Sequence, residues 1–134
     1  MRRHVMRRTT AALAAASSLL LSLAGCGSRP GEVNTATIPV QGVVTYRGKP
    51  LTSGEITFEP ESIGVEAHGA IGPDGHFTLT SYKAGDGAVA GSHRVAVSNT
   101  SKKDGLPVKY KNVSSSQVVV EVAEGKTEYQ VDLP

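Results

Sequence analysis

Hydrophobic and polar residues alternate with a period of two in several stretches of the chain after residue 38. In GEITFEP, residues 54–60, Ile56 and Phe58 fall on one side while Glu55, Thr57 and Glu59 fall on the other, the pattern of a strand with one buried face. TEYQVDL sets Tyr129, Val131 and Leu133 against Glu128, Gln130 and Asp132, QVVVEVA aligns Val118, Val120 and Val122, and PVQGVVTY aligns Val40, Val44 and Tyr46. No window of comparable length has a helical period. The turns constrain the pairing further. In AHGAIGPDGHFTLTS, Ile71 and Phe77 stand opposite each other only if Gly72 and His76 close a three-residue loop, Pro73-Asp74-Gly75, with glycine where a left-handed conformation is required. Gly125-Lys126 predicts a two-residue hairpin that joins strands 117–124 and 127–133 and places Val122 opposite Tyr129. The remaining runs lie at 40–47, 54–60, 67–72, 76–81 and 91–98. Seven short strands separated by turn signals predict an all-β domain over residues 38–134, a seven-stranded Greek-key β-sandwich. A partly open barrel is the alternative.

The first residues follow a different pattern. Arg2, Arg3, His4, Arg7 and Arg8 precede an apolar or small-residue run, Ala11 to Gly25, which has the basic, apolar and small-residue layout of a helical secretory signal over residues 1–25. The run is shorter than the ~20 residues of a membrane-spanning helix, and three serines dilute it. Arg7-Arg8 also hints at twin-arginine export, but the surrounding residues fit that pattern poorly. The run ends at Cys26, the chain's single cysteine.

Leu23-Ala24-Gly25-Cys26 resembles the lipobox of bacterial lipoprotein precursors. The resemblance implies cleavage before Cys26 and acylation of its thiol, palmitate-type chains then holding the protein to a lipid bilayer. Each buried methylene contributes about 0.8 kcal/mol, so two or three chains anchor stably. The other readings of Cys26 are a stray small hydrophobe or half of an intermolecular disulfide. Gly27 stands where an aspartate would favour inner-membrane retention in some bacteria, so the expectation leans toward the outer membrane, on its periplasmic or cell-surface side. Residues 26–37, the cysteine and a Gly, Ser, Pro and Thr rich stretch without apolar period, read as a flexible tether.

Removing the signal changes the charge. The full chain has 14 lysines and arginines against 12 acidic residues; four of those arginines leave with the signal, and the remainder is near −2. No basic patch has interleaved aromatics, which counts against nucleic-acid binding.

Three segments, VQGVVTYRGKPLTSGEITFEP, GPDGHFTLTS and AGDGAVAGSHRVAV, resemble the carboxypeptidase regulatory-like domain, a transthyretin-like and immunoglobulin-like β-sandwich. Residues 38–134 together with the lipobox are similar to a set of small planctomycete lipoproteins that pair the two. The resemblance implies a domain without an active site, serving folding, packing or interaction. One departure is His93, at a position where that family often has tyrosine.

Candidate chemistry is sparse. His68 and His76 fall on the outward face of one expected hairpin about 13 Å apart at ~3.3 Å per residue, too far to share an ion. The loop YKAGDGAVAG, residues 82–91, holds Lys83 and Asp86 among glycines, and with His93 forms a possible binding loop. Asp86 alone is more simply an Asx-type turn residue. Glu59 and Glu61 read as solvated edge charges. Lys102, Lys103, Lys109, Tyr110 and Lys111 in the loop 99–116 could touch an anionic glycan or headgroup, but a lysine-rich solvated loop is the commoner case. No G-x-S-x-G elbow occurs. The expectation is a non-enzymatic, lipid-anchored cell-envelope lipoprotein without cofactor or metal, acting as a structural or protein-interaction module, the alternative being a carbohydrate-binding module. Exposed aromatics would favour that alternative, but the chain has no tryptophan and most of its aromatic residues sit at inward positions.

Overall fold

The computed structural model describes residues 35–134. The signal, Leu23, Ala24, Gly25, Cys26 and most of the tether lie outside the described residues. What is described is mostly strand: β1 (Thr37–Ile38), β2 (Gln41–Tyr46), β3 (Lys49–Pro50), β4 (Glu55–Pro60), β5 (Ala67–Ala70), β6 (His76–Thr78), β7 (Ala88–Val89), β8 (Gly91–Ser98), β9 (Val118–Val122) and β10 (Glu128–Leu133). Seven of these lie within the seven expected runs. The other three, β1, β3 and β7, are two residues long, too short to show a period. Thr37, at the end of the stretch read as tether, already pairs with Val89.

One sheet centres on β2, which pairs in parallel with β10 on one edge and antiparallel with β6 and β3 on the other. The second runs β5-β4-β8-β9, all antiparallel, and β1 and β7 form a two-stranded ribbon. Period-2 alternation turns Val40, Val44, Phe77, Tyr129, Val131 and Leu133 of the first sheet toward Ile56, Phe58, Val95, Val97 and Val122 of the second, and all belong to one core. The Phe58 and Phe77 rings meet across it with centroids 6.1 Å apart. Side chains of this size contribute about 1.5–3 kcal/mol each when fully buried.

The loop at residues 72–76 has the expected register. Gly72 N–H donates to His76 O at 2.8 Å, Gly75 N–H donates to Gly72 O at 3.0 Å, and Gly75 takes the left-handed φ of 83°. His68 and Thr80 exchange both backbone bonds farther along. Beyond those pairs the arms separate, β5 joining β4 and β6 joining β2, so this hairpin bends from one sheet to the other.

The expected hairpin of β9 and β10 does not form. A tight turn is present, with Lys126 N–H donating to Ala123 O at 3.4 Å, but Val122 pairs with Gly91 and Tyr129 with Gly42. In a two-layer core, strands whose valine and tyrosine faces both point inward can oppose each other across the core as well as lie side by side. Here they oppose. The Tyr129 hydroxyl braces the arch, accepting from Ala123 N–H at 3.2 Å and donating to Lys126 O at 3.1 Å.

The long loop after β8 folds into short helical pieces, Lys102–Asp104 (η1), Val108–Lys111 (η2) and Val113–Ser116 (α1). Ser101 caps η1 through its side chain, which accepts from Lys103 N–H, and Gly105 ends it in a left-handed conformation. Buried Tyr110 pins η2 by donating its hydroxyl to Pro134 O, and the Ser116 hydroxyl donates to Val95 O.

Candidate functional site

The sequence-derived loop is built around one carboxylate. Asp86 accepts backbone N–H bonds from Ser81 at 2.7 Å, Tyr82 at 3.0 Å and Lys83 at 2.9 Å, while its own N–H donates to Lys83 O at 3.0 Å. Desolvation pushes this carboxyl upward, but the N–H groups of Ser81, Lys83 and Tyr82 outweigh it and hold the group below its ordinary range. A carboxylate offers about four lone-pair directions, and three are taken by the loop's own backbone. The Ser81 hydroxyl donates to Gly87 O at 2.7 Å, and the Thr80 hydroxyl accepts from Gly85 N–H at 3.0 Å. Gly87, at φ +90°, lies so close to β1 that a Cβ there would stand 1.7 Å from Ile38 O. The loop is thus a braced clasp over the place where the chain joins the domain, and Tyr82 Oη accepts from Thr35 N–H at 3.3 Å. Lys83 supplies a backbone donor to the clasp and keeps its side chain exposed.

His93 lies elsewhere, with no solvent exposure. On β8 it shares the inward parity of Val95 and Val97, and its ring packs against Phe58 at 5.8 Å between centroids. Nε2 lies 2.7 Å from Val89 O; since a carbonyl only accepts, Nε2 carries the proton, and Nδ1 is left in the core without a hydrogen-bond partner. Such an orphaned acceptor costs about 1–3 kcal/mol. The ring serves packing and the tie to β7, and it does not reach the surface of the loop.

The other two histidines of the described residues and Arg94 pair locally. His68 lies 3.4 Å from Glu66 and 3.7 Å from Glu55, His76 lies 2.8 Å from Asp74, and Arg94 lies 3.2 Å from Glu61. The backbone N–H of His76 leads in holding the Asp74 carboxyl below its ordinary range, as the Thr45 hydroxyl does for Asp132. Among the described residues no group of three or more His, Cys, Asp or Glu side chains is placed to hold a metal ion.

A cationic end was only half legible in the sequence. β2 finishes in a two-residue turn, Arg47-Gly48, whose φ values of 51° and 78° are both positive, as a type I′ turn requires. The turn carries Arg47 and Lys49. Two contacts fasten the lysine-bearing helical pieces to this same end. Asp104 accepts from Thr52 N–H at 3.1 Å and from its hydroxyl at 3.0 Å, and the Tyr110 ring sets its edge against Tyr46 with centroids 6.1 Å apart. The Arg47 guanidinium lies over Tyr46 at 5.4 Å and the Lys109 ammonium over Tyr110 at 4.7 Å. A groove of about 500 Å³ opens here, with Arg47, Lys49, Lys103 and the Thr52-bound carboxylate of Asp104 around Tyr46, Pro50 and Leu51. Arg47, Lys49, Lys102, Lys103, Lys109 and Lys111 are six of the nine lysines and arginines in residues 35–134, and no salt bridge is formed by any of them among the described residues. The run Tyr-Arg-Gly-Lys at a strand end was the available signal for Arg47 and Lys49.

A second open hollow, of about 550 Å³, lies over the outer face of β2, β6 and β10, beside Gln41, His76, Thr78, Glu128 and Gln130. In comparisons with family models, with curated proteins and with solved structures, nothing matches this chain.

Proposed function

We propose that the chain is a non-enzymatic, lipid-anchored lipoprotein of the cell envelope whose β-sandwich is a structural or protein-interaction module. The observation that carries this reading is the lone Cys26, set directly after Leu23-Ala24-Gly25 at the end of a basic-then-apolar leader. In this reading residues 1–25 are removed and acylated Cys26 holds the protein to the bilayer, on the periplasmic or outer side. Residues 26–34 then reach up to about 30 Å at ~3.3 Å per residue. Thr37 is held at the start of β2 through the β1–β7 ribbon, whereas the unpaired cations gather at the finish of β2. Six residues of strand, about 20 Å, separate the two, so the cationic end lies away from the tether's attachment.

The seven longer strands divide three and four between the sheets, which supports assigning the domain to the Greek-key, transthyretin-like sandwiches typified by carboxypeptidase regulatory-like domains. Mass spectrometry of the mature amino terminus from membranes, beside detergent phase partitioning of Cys26→Ala, tests the anchor. A diacyl or triacyl Cys26, with the variant moving to the aqueous phase, is expected. An unmodified chain beginning elsewhere would remove the membrane role.

A further inference from the structure

The cationic end has features that a merely soluble surface does not require. Exposed lysines are usually mobile and loosely paired, but here two tyrosines in edge contact each hold one cation over the ring face. Cation–π contact fixes the direction of a charge while leaving its hydrogen-bond donors free. Arg47 also takes a left-handed φ of 51°, where asparagine, aspartate or glycine is preferred. A side chain that the turn does not favour is thus presented beside the groove. The contrast with Arg94 is direct, since Arg94 is neutralised by Glu61. One carboxylate, Asp104, lines the groove itself, and both of its oxygens are engaged by Thr52.

From these observations we infer that the groove beside Arg47, Lys49 and Lys103, extended by Lys109 on η2, binds an anionic polysaccharide through its carboxylate or phosphate groups. Its volume is within the range of small-ligand sites, and the cations continue beyond it along η1 and η2, which suits a repeating ligand better than a single ion. Single-stranded nucleic acid needs open aromatic faces on which bases stack. Tyr110 is buried and the faces of both tyrosines are engaged by cations, so the rings position charge and leave no platform for bases. The inference rests on the reading of the domain as an interaction module, and names its partner.

The test uses the full chain in non-ionic detergent micelles, titrated by microscale thermophoresis with polygalacturonate, with a phosphomannan, with uncharged dextran and with a DNA oligonucleotide. Binding of one or both acidic polysaccharides is expected and identifies which anion is taken, with no binding of dextran and weaker binding of DNA. Affinity should fall at least tenfold between about 50 and 200 mM salt, as for three or more neutralised anions. Arg47→Asn suits the turn better, so the double variant Arg47→Asn/Lys109→Gln should keep its melting temperature and lose at least tenfold in affinity. Lys83→Gln/Lys126→Gln, an equal loss of charge outside the groove, should bind as the parent does. Equal weakening by both double variants, tighter binding of DNA, or no binding of either acidic polymer would overturn the inference. Because the polymers are titrated independently of acylation, failure here alongside an acylated Cys26 removes the groove's role and leaves the anchor standing.

Discussion

Replacing Asp86 by alanine should destabilise the domain by about 2 kcal/mol. The carboxylate receives three backbone N–H groups at 2.7–3.0 Å, and hydrogen bonds to charged groups contribute about 1.5–3 kcal/mol when well shielded. The site is partly exposed, so water replaces some of what is lost and screening weakens the charge, which brings the sum for all three to about 2 kcal/mol. Asparagine keeps one acceptor oxygen but turns an NH₂ toward donors, so Asp86→Asn should cost about 1 kcal/mol. For a domain of this size those losses correspond to roughly 8–16 °C and 4–8 °C in melting temperature. The pH dependence follows from the direction of the shift. The folded carboxyl lies below the ordinary aspartate value of 3.8, so its stabilisation is complete above the unfolded value and is lost as pH falls through the folded one. The gap between parent and Asp86→Asn should therefore be flat from about pH 8 to 5 and close below about pH 4. Asp74 and Asp132 are shifted the same way, so both proteins lose stability in acid and only their difference isolates Asp86. Urea unfolding at a series of pH values measures it. A loss under about 0.5 kcal/mol for alanine at neutral pH, or a gap that persists unchanged in strong acid, would refute the role of the carboxylate as the loop's brace.

Two further substitutions test the sheet assignments. Gly42→Ala would place a Cβ 1.9 Å from Tyr129 O, which the parallel β2–β10 pair can relieve only by separating; a loss of about 3 kcal/mol or more is expected in denaturant titration. Tyr129→Phe removes both hydrogen bonds that hold the 123–127 arch and should cost about 1–2 kcal/mol without changing the far-ultraviolet circular dichroism. A neutral result for Tyr129→Phe would show that the arch holds itself.

The alternation of Ile56 with Phe58, or of Tyr129 with Val131 and Leu133, is a local property, and it marks both the strand and the face that is buried. Partner choice is not local. Gly125-Lys126 has the chemistry of a hairpin turn, and a turn does take shape there, yet β9 and β10 find longer partners in opposite sheets. His93 could have been read as inward from its parity with Val95 and Val97; its chemistry drew it into a binding loop whose other members, Lys83 and Asp86, face the solvent and the loop backbone. The cationic end joins residues from two segments about sixty positions apart, which no window of sequence connects. Cys26 and the residues before it are legible as a sequence pattern, and they lie outside the described residues.

The parallel pairing of β2 with β10 fixes the order in which the domain can be completed. Gln41 meets Glu128 across 87 residues, and closing a loop of that length costs about 4 kcal/mol beyond a constant term. One whole edge of β2 has no partner until Glu128–Leu133 is free to move. A polypeptide still attached to a ribosome, or still threading through a membrane pore, therefore carries an open strand edge able to pair with any neighbouring chain. Docking of Glu128–Leu133 acts as the latch that ends this exposure, and a chain clipped within that segment would keep its template open for the rest of its life.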